Sequence, residues 1–83
     1  MKVLYFAWLR AKTGIAEETI TPPSGVTTVA GLIDHLKARG GGFADALKDL
    51  SVVRVAVNQE FAEFDHLVAS GDEIALFPPV TGG

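Results

Sequence analysis

Thr27-Thr28-Val29-Ala30-Gly31-Leu32-Ile33-Asp34-His35-Leu36-Lys37 is the stretch on which the fold turns, because its apolar residues recur with a helical period. Val29, Leu32, Ile33 and Leu36 fall at i, i+3, i+4 and i+7, so they form one stripe that a sheet can bury. Thr27 or Thr28 can cap the first turn, Lys37 and Arg39 suit the last, and Gly40 suits the end. On the N-terminal side, Glu17 to Thr21 reads as a short polar strand ending at Pro22-Pro23. Before it, Val3 to Leu9 alternates as a strand. Its uncharged face, Val3, Tyr5, Ala7 and Leu9, is expected to point into the core, and Leu4, Phe6 and Trp8 to the other side. Gly14 marks a turn in the loop between these two strands.

On the C-terminal side, Gly40 to Gly42 lead into Phe43 to Leu50, with room for one irregular helical turn. Val52 to Val57 alternates Val53, Val55 and Val57 against Arg54 and Ala56, a second good strand. Asn58-Gln59 then turns the chain into a short piece around Phe61, and Ser70-Gly71-Asp72 turns it into a last strand, Glu73 to Phe77. The order strand, strand, helix, strand, short strand, strand predicts an α+β fold: a mixed sheet of about five strands packed on one main helix, the ubiquitin-like β-grasp arrangement. The domain is expected over residues 1–77, followed by a flexible tail over 78–83.

The chain has 83 residues, 48% of them hydrophobic and 20% charged, which suits one modest core. A domain of this size buries about 60 to 65% of the surface it exposes when unfolded. The absence of cysteine removes disulfides, thiolate nucleophiles and Cys-based metal sites. Ten acidic against seven basic residues, the latter scattered, leave no footprint for nucleic acid. The apolar run from Val3 to Leu9 is too short for a membrane span and lacks a cleavage pattern, so the expected location is the cytoplasm.

Side-chain chemistry is thin. His35 and His66 each follow an aspartate, Asp34 and Asp65, but have no ligand-like partner at metal spacing, so no metal site is expected. Gly40-Gly41-Gly42 follows a helix and is not followed by Lys-Ser or Lys-Thr, so it is not a phosphate loop. Asp72 and Glu73 are adjacent, and on a strand they point to opposite faces. Two features exceed this background. One is the face of Leu4, Phe6 and Trp8, opposite the helix, which Ala75 and Phe77 join if the first and last strands are neighbours; such a patch marks a binding surface unless the long C-terminal loop or the Phe43 to Leu50 segment covers it. Phe61, on a short edge piece, is a further contact. The other feature is the ending Phe77-Pro78-Pro79-Val80-Thr81-Gly82-Gly83. Its prolines favour an extended form, and its two glycines, lacking Cβ, can thread a narrow channel and leave the Gly83 carboxylate open to attack. Residues 78–83 span about 20 Å when fully extended.

Over essentially its whole length the chain resembles the molybdopterin synthase small subunits (MoaD) of the ThiS/MoaD sulfur-carrier family. The matching pieces are Val3-Leu4-Tyr5-Phe6-Ala7 with Arg10, Thr28-Val29-Ala30 with Leu32, Ala56-Val57-Asn58-Gln59, Gly71-Asp72-Glu73 and the run from Phe77 to Gly83. The resemblance implies that an ATP-consuming activating enzyme adenylates the Gly83 carboxylate, and that a sulfur donor converts it to a thiocarboxylate. It implies no cofactor bound by this chain. Gly82, Thr81, Val80 and Pro79 would thread a pocket of the synthase large subunit, in a heterotetramer of two small and two large subunits. There sulfur would pass to a cyclic pyranopterin monophosphate and build the dithiolene of the molybdenum cofactor. Phe6, Arg10, Phe61 and Phe77 would dock the partners. The alternatives are a carrier for thiazole or cysteine synthesis, a ubiquitin-like modifier joined through Gly83 to a target lysine, and a noncovalent domain using only its apolar face.

Overall fold

The computed structural model describes residues 1–79. The elements are β1 (Lys2–Tyr5), α1 (Ala7–Thr13), β2 (Glu17–Thr19), α2 (Val29–Lys37), α3 (Gly41–Ala46), a 3-10 turn (Leu50–Val52), β3 (Arg54–Val57), β4 (Glu60–Ala62) and β5 (Glu73–Phe77). One five-stranded sheet has the order β2-β1-β5-β3-β4. The central pair β1 and β5 is parallel, with Lys2 opposite Glu73 and Tyr5 opposite Leu76, and the other pairs are antiparallel. The mixed sheet and its helices form the predicted β-grasp arrangement. Its last strand is the central one, so the chain leaves the sheet between β1 and β3.

Alternation on the strands and the helical stripe meet in one core. Val3 and Tyr5 of β1, Val55 and Val57 of β3, and Ile74 and Leu76 of β5 are buried against Val29, Leu32, Ile33 and Leu36 of α2. The N-cap of α2 is Thr28, whose side-chain oxygen accepts the Gly31 amide at 3.1 Å. Thr28→Ala leaves that amide without its partner and is expected to cost about 1 kcal/mol, read as a lower urea midpoint at an unchanged denaturant slope.

The first predicted strand is corrected. It was expected to run to Leu9, but β1 ends at Tyr5 and the chain turns into α1. Phe6 is still extended, whereas Ala7 has φ +53°, outside the strand region. The Tyr5 amide donates to Ala16 and the Phe6 amide to Leu76, and sheet pairing stops there. Gly14, with φ +81°, closes α1 by donating its amide to the Arg10 carbonyl, so it is a helix cap and not a mid-loop turn. Leu9 remains buried because a helical turn carries it inward, while Ala7, expected in the core, is exposed. Trp8 therefore leaves the open sheet face and, half-buried, lines a cavity of about 300 Å³ with Lys12, Ala46 and Val52.

Between α2 and β3 the chain is more helical than expected, with α3 and the 3-10 turn in place of one irregular turn. The α2 cap is Ala38, and Gly40, at φ +73°, breaks the path between the two helices. The strands expected at Glu17 to Thr21 and Val52 to Val57 are shortened to β2 and β3.

A polar clasp holds this helical side against β1 and β2. The Tyr5 hydroxyl donates to Glu18 Oε2 at 2.7 Å, and Arg39 reaches both Glu18 oxygens at 2.7 and 2.8 Å. The Arg39 guanidinium lies 4.8 Å from the centre of the Phe43 ring, which meets the Tyr5 ring edge-on. Burial first, then the bond to the Glu18 carboxylate, push the Tyr5 phenol far above its ordinary value of 10.0. The folded chain thus keeps a proton that the unfolded chain gives up above about pH 10. The contribution is complete below that pH and is lost as pH rises past it. Urea midpoints from pH 8 to 11 should therefore fall more steeply for the native chain than for Tyr5→Phe, and equal slopes would contradict the buried phenol.

Candidate functional site: the open sheet face and the tail root

The face turned away from α2 is built by the strand register. Leu4 of β1 stands opposite Ala75 of β5, Ala75 opposite Ala56 of β3, and Ala56 opposite Phe61 of β4. These small and apolar residues make a shallow floor, and Phe61, 80% exposed, rises from its edge. Phe77 is the last strand residue, paired with Arg54, and its ring centre lies 5.8 Å from that of Phe61. Ala75 and Phe77 thus join Leu4 on the open face, as the neighbouring of first and last strands predicts.

Phe6 borders the same region from the other side. Its amide donates to Leu76 at 3.1 Å, and its side chain is 47% exposed. The Arg10 amide donates to the Phe6 carbonyl, and both residues line a cavity of about 240 Å³ with Leu4, Ala7 and Glu17. The structure therefore places the four predicted docking residues as two pairs, Phe61 with Phe77 and Phe6 with Arg10. Both pairs flank the end of β5. Pro78 and Pro79 follow without regular structure. The other predicted tail positions, Val80, Thr81, Gly82 and Gly83, lie outside the described residues.

Two features were missed by reading the sequence. Ala7 holds its left-handed backbone between Phe6 and Trp8, a conformation that costs a non-glycine residue about 1 to 2 kcal/mol. It sets the angle at which Phe6 and Arg10 leave the sheet, and no residue type at position 7 signals it. Arg54 was read only as the polar member of an alternation, yet the register puts it beside Phe77.

The Asn58-Gln59 and Gly71-Asp72-Glu73 motifs lie at the opposite end of the sheet and form a structural lock. Asn58 donates to Asp72 at 3.0 Å and accepts the Glu73 amide at 3.0 Å, while Asp72 also accepts the Ala69 amide at 2.8 Å. The Asn58 hydrogen bond, then that of Ala69, hold the Asp72 carboxyl below its usual range. Asn58 and Gln59 take positive φ, 51° and 70°, as a two-residue hairpin requires. Near the other end, Asp45 pairs with both Lys12 and Lys48, and these hydrogen bonds lower its carboxyl to about 2. Among the described residues no group of three His, Asp or Glu side chains gathers as metal ligands would, and no helix is long and apolar enough to cross a membrane.

The ThiS family matches residues 3–83. The molybdopterin synthase sulfur carrier subunit of Escherichia coli is 41% identical over 83 residues, covering 100% of this chain and 99% of its own. The subunit of the same name from Homo sapiens is 37% identical over 86 residues, covering 100% of this chain and 93% of its own. Among solved structures, SAMP1 of Haloferax volcanii superposes with a TM-score of 0.74 at 32% identity, over 100% of this chain and 98% of that one. With its sheet order, open apolar face and Gly-Gly ending, the chain belongs to the ThiS family of sulfur carriers, in the branch of the molybdopterin synthase small subunits.

Proposed function

We propose that this chain is the sulfur-carrying small subunit of a molybdopterin synthase and that its working group is the carboxyl of Gly83. The observation that carries this reading is the tail root. Exposed aromatic residues surround the point where the chain leaves its central strand, and the sequence beyond that point ends in two glycines. A face that docks and a terminus that threads are what a carrier needs, and the reacting side chains then belong to the partner.

A free carboxylate resists nucleophilic attack, so activation comes first. A Gly83 oxygen attacks the α-phosphate of ATP, pyrophosphate leaves, and an acyl adenylate forms on an activating enzyme. A donor at the sulfide level attacks the acyl carbon through sulfur, AMP leaves with the C–O bond electrons, and loss of the proton from sulfur gives the thiocarboxylate. This group is a soft nucleophile at neutral pH and needs no cysteine in the chain. Seated in the synthase large subunit, it gives its sulfur to a cyclic pyranopterin monophosphate, and two deliveries build the dithiolene. The experiment is intact mass after incubation with ATP, the activating enzyme and a sulfur donor. A gain equal to one oxygen exchanged for one sulfur supports the carrier reading, and no gain with an active enzyme rejects it.

The likeness to SAMP1, named in a related structure as small archaeal modifier protein 1, favours one second reading. In it Gly83 forms an isopeptide with a lysine of a target. That reading predicts covalent adducts of higher mass in extract, dependent on Gly83.

A further inference from the structure

We infer that Arg54 and the cleft beside it form a docking subsite for a carboxylate on the synthase large subunit, placed at the mouth of the channel that takes the tail. The inference rests on the carrier reading and adds to it a residue that selects the partner. The cleft, about 380 Å³, lies at the end of β3 and β4 and is lined by Val53, Arg54, Val55, Phe61, Ala62, Glu63 and Phe64. It opens where strand pairing stops at Val55 opposite Ala62, so its walls are mostly apolar side chains, with Arg54 and Glu63 as its two exposed charged residues.

The Arg54 guanidinium is held but not neutralised. It donates to the carbonyls of Ser51 and Val53 at 3.1 and 3.2 Å, and no carboxylate among the described residues forms an ion pair with it. Glu63 lines the same cleft without reaching it. Lys2, Lys12, Arg39 and Lys48 are paired with acids of this chain; among the described residues Arg10, Lys37 and Arg54 form no ion pair, and of these three it is Arg54 that stands beside the Phe61 and Phe77 pair. In a chain of net charge −3, a cation left unpaired beside exposed aromatics asks for a complementary anion from outside. Register fixes where that anion must lie. Arg54 stands opposite Phe77, one residue before Pro78, so any protein that threads the tail brings its surface across the cleft. An acidic residue flanked by apolar side chains fits it, the carboxylate on Arg54 and the apolar neighbours against Phe61 and Phe64.

The test is the affinity of the full chain for the large subunit at low and high salt, for the native chain, Arg54→Lys, Arg54→Ala and Arg54→Glu. Thermal midpoints of all four check that folding is unaffected. Expected losses at low salt are about 10-fold for Ala and about 100-fold for Glu, with Lys between Ala and native. The gap between native and Ala should shrink as salt rises. Thiocarboxylation of Gly83 by mass is measured in parallel. Arg54→Glu that binds as tightly as the native chain overturns the subsite while normal sulfur loading leaves the carrier reading standing. A native chain that loads sulfur but does not bind the large subunit overturns the subsite as well, and failure to load sulfur sinks the carrier reading itself.

Discussion

Deleting Gly83 is expected to abolish thiocarboxylation while leaving the thermal midpoint within about 1 °C of the native chain. The two halves of this expectation come from different parts of the molecule. Among the described residues the buried ones run from Met1 to Leu76, and Gly83 has no side chain to give to a core, so its removal is expected to leave the packing unchanged. The chemistry of the carrier reading, in contrast, needs a carboxylate at the end of a segment thin enough to enter a channel. The chain holds ten Asp and Glu residues, but each is a side chain on the folded body or its loops and cannot be carried into a partner. Truncation leaves a terminal carboxylate on Gly82, about 3.5 Å short of the position reached by the full chain. A near-attack geometry tolerates much less displacement than that. Gly82→Val tests the complementary requirement: it keeps the length but adds a branched side chain, and sulfur loading should fall by at least about 100-fold. Loading of the truncated chain at the native rate would mean that the reacting carboxyl lies elsewhere.

The second large effect concerns stability. A Cβ placed on Gly42 would lie 1.8 Å from the carbonyl oxygen of Lys12 and 2.9 Å from its carbon. Both atoms belong to the α1 backbone, so no side chain can swing aside, and α3 must move away from α1. That contact holds the wall over Leu9, Ala46 and Leu47, all buried. Gly42→Ala is therefore expected to cost about 3 kcal/mol, at the upper end of overpacking substitutions. For a domain whose whole stability is about 4 to 12 kcal/mol this is a large share, and the thermal midpoint should fall by about 12 °C or more. Gly41→Ala separates space from conformation. Nothing lies within 4 Å of a Cβ there, but φ is +52°. Its cost should stay at about 1 to 2 kcal/mol, and a Gly42→Ala loss no greater than this would refute the close approach.

Much of the fold was legible because periodicity and burial agree. The stripe of Val29, Leu32, Ile33 and Leu36 became the buried face of α2, and Glu73 to Phe77 became β5 with the predicted limits. Val3 to Leu9 was not legible, for a physical reason. Tyr5 and Leu9 are four residues apart, a spacing compatible with both a strand face and a helical turn, and both residues are buried in either arrangement. Only Ala7 distinguishes the two, through a backbone angle that alanine does not advertise. At the site, Phe6, Phe61 and Phe77 stood out as apolar residues on a face without a helix to cover them. Arg54 did not, because its meaning lies in its cross-strand neighbour, and register is a property of pairing that alternation within one strand does not contain.

The position of β5 also has a mechanical meaning. The segment that the carrier reading has partners grip continues directly from a strand bonded on both sides, to β1 and to β3. A pull on the chain directed along the axis of β5 loads both ladders in shear, so their hydrogen bonds share the force instead of opening one after another. A tail hung from an edge strand such as β4 would have only one ladder to resist the same pull. On the carrier reading, such a domain can be drawn out of one partner by its end and passed to the next without unravelling.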